Sequence, residues 1–203
     1  MEPRLALLRL SDLRAHEEIL PGNLARVLGS IVDTGRLYKP IIVDEKTHVI
    51  IDGHHRYAAL RILGARRVPA LLASYDHHIA GIAPKTVTIK VRTDSQDEAL
   101  AIGSSTIEAV AGQGRFGARL ALNDIIVTLR VNPLEIYRAL PKLAKTVIGR
   151  SGRPYNLSLT VEPLEPSHVR GLPCEEILLP PKSTIHLTPL KNMVINYKLS
   201  KLL

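Results

Sequence analysis

The sequence predicts an α/β fold built on a mixed sheet, and three observations carry that reading. Strand-like and helix-like segments alternate through residues 1–75. Between two of the helical segments, two apolar runs flank a short polar turn, the signature of a β-hairpin. Further along, an alternating strand over Thr86–Arg92 leads into a helix that Ser95 can cap.

Taken in order, Leu5–Leu10 reads as a first strand, followed by a polar turn over Ser11–Arg14. Leu24, Val27, Leu28 and Ile31 have helical spacing within Asn23–Val32, and that helix is expected to end at Thr34-Gly35. The hairpin follows, with Pro40–Asp44 and Val49–Ile51 as strands and Glu45–His48 as the turn. Tyr57–Leu63 is a helix with Gly64 as its C-terminal cap, and Val68–Ser74 is the next strand. Residues 76–84 have loop chemistry and mark a seam. The expected division is therefore an amino-terminal unit, 1–75, and an α/β carboxy-terminal unit, 76–203, with the active-site cleft between them.

In the second part, Gly112–Gly117 is glycine-rich but has neither the Gly-Lys-Ser/Thr ending nor the Gly-x-Gly-x-x-Gly spacing of a nucleotide cradle. It reads as a mobile loop. Ile125–Val131 is a strand, and Pro133 suits the first turn of a helix reaching Leu140. Beyond Lys142, Leu157–Glu162 and Met193–Leu199 read as edge strands. There is no internal repeat.

Composition narrows the function. The 203 residues can bury a sizeable core, and 45% hydrophobic with 23% charged residues is a folded composition. The net charge of +8 suits an anionic partner. Aromatics make up only 3%, which disfavours binding of single strands by base stacking. Cys174 is the only cysteine, so there is no internal disulfide, and two methionines with one cysteine match the composition of heat-adapted proteins. No stretch approaches the roughly 18 apolar residues of a membrane span. The apolar run near the amino terminus is short and broken by Arg4 and Arg9, so no signal peptide is read there and a cytoplasmic location is expected.

Asp52, Gly53, His54, His55 and Arg56 sit where the hairpin's second strand hands over to a helix. A helix N-terminus offers unpaired N–H groups and partial positive charge, and so holds phosphate readily. Arg56 adds a fork-shaped donor, the histidines add titratable ones, and Gly53 lets the backbone come close to a ligand. Asp52 alone could be an ordinary N-cap, but two histidines and an arginine directly after a buried strand point to a phosphate site.

This motif, with Tyr38–Val43 before it and the Leu60-x-x-Leu63-Gly-Ala-x-Arg-Val-Pro69 run after it, resembles the ParB/sulfiredoxin-like fold, and within it the archaeal free serine kinase family. Two further segments resemble that family in the same chain order. Ala15-His16-Glu17 is similar to its Pro-His-Glu, and Pro181–His186 to its Pro-Lys-Thr-Thr-Arg-His, with Ser183 and Ile185 departing from the pattern. The resemblance implies transfer of a nucleotide phosphoryl group to L-serine, giving O-phospho-L-serine, with ATP or ADP as donor and Mg²⁺ as cofactor. It makes Glu17 the base, with Glu18 as its neighbour in the sequence. Asp52 would bind Mg²⁺ or act at the reacting hydroxyl, Gly53, His54, His55 and Arg56 would bind phosphate, and Lys182, Ser183, Thr184 and His186 would hold the substrate. Lys39 is a further cation expected near the phosphates. The His77-His78 pair has no third metal ligand nearby and stays unassigned. The partners expected are L-serine and nucleotide, with no membrane and no nucleic acid, and the oligomeric state stays open. The alternative is a ParB-like nucleotide-dependent DNA-binding protein, against which stands the lack of a helix-turn-helix pattern after residue 76. A sulfiredoxin-like reductase would need a cysteine where His54 stands.

Overall fold

The computed structural model describes residues 2–203. Strand β1 (Arg4–Arg9) passes through a single 3-10 turn into a segment without regular structure and then helix α1 (Pro21–Thr34), which opens on Pro21 and ends at Gly35. Its Leu24, Val27, Leu28 and Ile31 stripe packs on the core of the sheet. After β2 (Arg36–Leu37) come β3 (Ile41–Asp44) and β4 (Ile50–Asp52), the expected hairpin, paired antiparallel. Asp44 shapes its turn by accepting the Thr47 N–H at 3.0 Å and the Thr47 hydroxyl at 2.6 Å.

Helix α2 (His54–Ile62) follows without a linker, and then β5 (Arg67–Ala73). The sheet order is β1-β5-β3-β4, with β5 antiparallel to β1 and parallel to β3. The sheet is therefore mixed, as expected. Every residue of β3 is buried, as is all of β5 after Arg67, because both strands are interior to the sheet. Where loop chemistry was read over 76–84, the chain forms a single-turn helix, α3 (Tyr75–His78), and a short strand, β6 (Gly81–Ala83).

The second compact unit, Ala83–Leu164, is described by itself. It holds β7 (Lys85–Thr93), α4 (Gln96–Ala111), β8 (Gln113–Leu122), β9 (Ile125–Val131), α5 (Pro133–Leu143), β10 (Val147–Ile148) and β11 (Arg153–Val161). The strand order is β10-β7-β11-β8-β9. Ser95 caps α4 through the Glu98 N–H, and Asn132 caps α5. Two expectations are corrected here. Gly112–Gly117 is not a loop, because Gln113 already starts β8. Its glycines permit tight packing: a Cβ on Gly114 would lie 2.2 Å from the Val131 carbonyl oxygen, and one on Gly117 2.2 Å from the Glu162 carboxylate. The strand expected over Leu157–Glu162 is not an edge. It pairs on both sides, with β7 and β8, and buries Leu157, Leu159 and Val161.

The chain then returns to the first unit with α6 (Pro166–Gly171), β12 (Ile185–Leu187) and β13 (Tyr197–Lys198). β12 pairs with β6, and β13 with β2. The strand expected over Met193–Leu199 shrinks to the two residues that find this partner. Glu165–Leu203 thus belongs with the residues up to Ile82, a division that differs from the expected 1–75 and 76–203. The reason is that the two ends of the chain share strand pairs and side-chain contacts that local sequence patterns do not register.

Candidate active site

Asp52 ends β4 and Gly53 is the N-cap of α2, with φ of 110°. No side chain caps the helix, and no acidic residue stands in its first turn. The amides of His54, His55 and Arg56 therefore point outward without a carboxylate to occupy them, and the Tyr57 N–H is the first to find a helical partner, the Gly53 carbonyl at 2.9 Å. Asp52 is not the cap that its position suggests. It accepts Arg56 Nη2 on Oδ2 at 2.7 Å, and a Cβ on Gly53 would lie 2.9 Å from that same Nη2. Glycine at 53 thus gives both the left-handed backbone and the room for the ion pair.

Glu17 comes from the segment before α1, which runs beside residues 179–184. The Glu18 N–H donates to the Leu179 carbonyl at 2.8 Å, and the Leu179 N–H to that of His16 at 2.9 Å. This ladder brings Glu17 under the Lys182–Thr184 turn, where three donors meet its carboxylate. The Lys182 N–H reaches Oε2 at 3.0 Å, and the Thr184 N–H and hydroxyl each reach Oε1 at 2.8 Å. Lys182 adopts φ of 60°, a left-handed conformation that a lysine holds only where its surroundings enforce it.

Three buried histidines surround this carboxylate. The Thr184 hydroxyl has one hydrogen and gives it to Glu17, so His16 Nε2, 2.8 Å from Thr184 Oγ1, must be the donor there. The His16 backbone N–H donates to His54 Nε2 at 3.4 Å, which puts the His54 proton on Nδ1, 3.9 Å from Glu17 Oε2. The His16 and His54 rings meet edge to face at 4.6 Å. Burial pushes His16 down to about 3, reinforced by His54, and pushes His54 down to about 3 against the pull of Asp52. His186 falls to about 4, from burial and then Lys191. His55 is lowered too, first by desolvation, and its Nε2 accepts the N–H of Leu20, the residue that precedes α1. All four are neutral at physiological pH, so permanent positive charge at this site comes from Arg56 and Lys182.

The structure brings Glu17, His54 and Lys182–His186 into contact, with Asp52, His55 and Arg56 on the adjoining helix start. The hydroxyl hydrogens of Ser183 and Thr184 are both committed inside the protein, that of Ser183 to the Pro180 carbonyl at 2.6 Å. His186 Nε2 lies 2.8 Å from the Tyr75 hydroxyl. Lys39 donates to the Lys191 carbonyl at 3.1 Å, and it lines, with Arg56, Arg26, Ser30 and Tyr38, a cavity of about 320 Å³. A second cavity, of about 460 Å³, is lined by Glu17, Glu18, Ile19, Tyr57 and Leu178. His78 Nδ1 accepts the Ser74 N–H, and among the described residues no group of three or more His, Cys, Asp or Glu could hold a metal.

Sequence reading missed a supporting chain behind His186. Asp44, fully buried, takes both forks of Arg170, at 3.1 and 3.2 Å. The Arg170 guanidinium lies 4.7 Å from the centre of the Tyr75 ring. Burial raises the Tyr75 hydroxyl well above its ordinary range, so it stays protonated. The only local signal was an Asp at the end of an otherwise apolar strand.

No protein-family model matches the chain. It is 38% identical over 73 residues to an ATP-dependent L-serine kinase from Staphylothermus marinus, and 32% identical over 72 residues to an ADP-dependent L-serine kinase from Thermococcus kodakarensis. Each match takes in 34% of this chain, and spans only 29% and 30% of the kinases' own lengths. A ParB-like protein from Sulfolobus acidocaldarius is 25% identical over 87% of this chain and 86% of its own. Among solved structures, a glutamate-to-glutamine variant of a free serine kinase in complex with AMP superposes with a TM-score of 0.68 at 18% identity, covering 98% of this chain and 94% of that one. No helix among the described residues is long and apolar enough to cross a membrane. Over a third of its length the chain is thus similar in sequence to archaeal L-serine kinases, and over nearly all of it the fold is that of a solved free serine kinase.

Proposed function

We propose that this chain is a free L-serine kinase, which moves a phosphoryl group from a nucleotide to the serine hydroxyl and releases O-phospho-L-serine. The observation that carries the reading is Glu17, a carboxylate held by three donors beside the uncapped start of α2. Phosphoryl transfer asks for positioning and charge neutralisation, plus a group that takes the acceptor's proton. The amides of His54, His55 and Arg56 and the Arg56 guanidinium bind the donor's phosphates, with Lys39 approaching from the cavity it shares with Arg56.

Serine's oxygen then forms its bond to phosphorus as the bridging P–O bond breaks. The hydroxyl proton passes to Glu17, whose fourth lone-pair position is unfilled by the Lys182 and Thr184 donors. Thr184 acts by fixing Glu17, Ser183 and His186 by fixing the turn, and Lys182 supplies a cation for the serine carboxylate. Mg²⁺ fits only as an ion carried mainly by the phosphates, since Asp52 offers one carboxylate and shares an oxygen of it with Arg56. Bound there, it would neutralise phosphate charge.

The test is to incubate the protein with L-serine, Mg²⁺ and ATP or ADP, and follow the products by phosphorus NMR. Phosphoserine from either nucleotide is expected, and the better donor distinguishes the two kinds of kinase that the chain resembles. Absence of phosphoserine with both would overturn the reading. Nucleotide-gated binding of duplex DNA in its place would favour the likeness to the ParB-like relative.

A further inference from the structure

The outer end of the first unit's sheet carries a cavity of about 810 Å³ lined by Arg9, Arg61, Arg66 and Arg67 together with Tyr57 and Ser11, and no carboxylate lines it. Its volume is in the range of small-molecule sites. The arginines are mounted on fixed backbone. Arg9 and Arg67 are direct partners in the antiparallel β1/β5 register, the Leu10 N–H donates to the Arg66 carbonyl at 2.9 Å, and the Arg66 N–H donates to the Leu202 carbonyl at 2.9 Å.

All four are exposed, and among the described residues no carboxylate pairs with them. Arg9, Arg66 and Arg67 make no side-chain hydrogen bond or ion pair among the described residues, and Arg61 only lies over the Tyr57 ring at 5.7 Å. Elsewhere in the same unit Arg26, Arg36, Arg56 and Arg170 each meet an oxygen acceptor inside the protein. Like charges directly opposite on neighbouring strands oppose each other, and Arg9 and Arg67, both exposed, stand in that relation, which an anion between them would relieve.

We infer that this groove is a second anion site, which binds a chain of phosphates. Four guanidiniums present several forks at once, the geometry that takes phosphate oxygens in pairs, and the Tyr57 ring gives a flat apolar wall beside them. Such a phosphate chain comes from a free nucleotide or from a nucleic-acid backbone. The inference stands whether or not the chain is a serine kinase.

The probe is inorganic tripolyphosphate, titrated calorimetrically into the full chain at constant physiological salt. Wild type, Arg56→Ala, Arg9→Gln/Arg67→Gln and Arg4→Gln/Arg115→Gln, a control pair of exposed arginines outside the groove, are compared. Arg56→Ala is expected to keep one site, and Arg9→Gln/Arg67→Gln to lose at least tenfold in affinity at that site. The control should bind like wild type. Without anion, Arg9→Gln/Arg67→Gln should melt at or above the wild-type temperature, since it relieves the opposed charges, and tripolyphosphate should no longer raise its Tm at that site. Loss of all binding in Arg56→Ala, or equal weakening in the control, overturns the inference. Competition then identifies the source: displacement by ATP assigns a nucleotide, and displacement by a short RNA assigns a nucleic-acid backbone. Displacement by neither reduces the site to an adventitious ion only, and also overturns it.

Discussion

Glu17 and Thr184, 167 residues apart in the chain, meet through two hydrogen bonds at 2.8 Å, both to the same carboxylate oxygen. That contact ties the position of the proposed base to the far end of the chain. It also gives the base a fixed direction, since Lys182 holds the other oxygen.

Glu17→Gln should lower kcat by about 10²- to 10⁴-fold while leaving nucleotide affinity nearly intact. The amide would also turn one acceptor into a donor that faces the Lys182 N–H, so a loss of about 1–3 kcal/mol in stability is expected in thermal melts. Glu18→Gln, whose residue is tied to the carboxy-terminal segment by its backbone N–H to the Leu179 carbonyl, should behave like wild type in both measurements. A crippled Glu18→Gln beside a normal Glu17→Gln would move the base by one residue.

Arg56→Ala should weaken nucleotide binding strongly, because charge-assisted bonds to phosphate contribute roughly 1.5–3 kcal/mol each. It also strips Asp52 of its 2.7 Å partner. Unchanged nucleotide affinity in a folded variant would remove the phosphate site from the start of α2.

Asp52→Asn is predicted to shift the Mg²⁺ concentration needed for half-maximal rate, and to leave nucleotide binding in the absence of Mg²⁺ close to wild type. An unchanged Mg²⁺ dependence with kcat abolished would instead make Asp52 the group at the reacting hydroxyl.

Tyr75→Phe removes the hydroxyl that lies 2.8 Å from His186 Nε2 and leaves the ring under Arg170. The stability loss should be about 1–3 kcal/mol, from the buried imidazole nitrogen left without its partner. The effect on activity should fall on the serine KM more than on the nucleotide KM, because His186 continues the turn that holds Glu17. Equal effects on both would mark a general loss of structure.

The buried histidines set an acid limit. His16 and His54 sit at about 3 and His186 at about 4, all below the ordinary 6.5, so between those values and 6.5 the unfolded chain binds protons that the folded chain refuses. Their contribution is complete above pH 6.5 and is lost as pH falls toward 3, by at most about 1 kcal/mol per pH unit for each histidine. Urea melts at pH 7, 6, 5 and 4 should show falling midpoints, and replacing His16 by Gln should flatten the fall. A midpoint independent of pH from 7 to 4 would contradict the buried neutral state.

Much of the first unit was legible in the residues, because its signals are local. The Leu24, Val27, Leu28 and Ile31 spacing marks α1, the apolar runs around Glu45–His48 mark the hairpin, and Asp52–Arg56 marks the start of α2. Each follows from the period of a helix or strand, or from the polar groups a turn exposes. The bond that Asp52 makes was not legible: an aspartate before a helix suits a cap or an i,i+4 ion pair equally, and only the backbone at Gly53 chose the pair.

What the tertiary structure alone decided lies between residues far apart in the chain. Gln113–Gly117 became strand where Val131 and Glu162 approach it, and Leu157–Val161 became interior because β7 and β8 flank it. Asp44 needs Arg170, His16 needs Thr184, and the return of Glu165–Leu203 to the first unit rests on pairings with residues more than a hundred positions earlier. Such contacts form where burying apolar surface and satisfying buried polar groups together outweigh the entropy of closing long loops. That balance belongs to the whole assembled chain, and no window of sequence contains it.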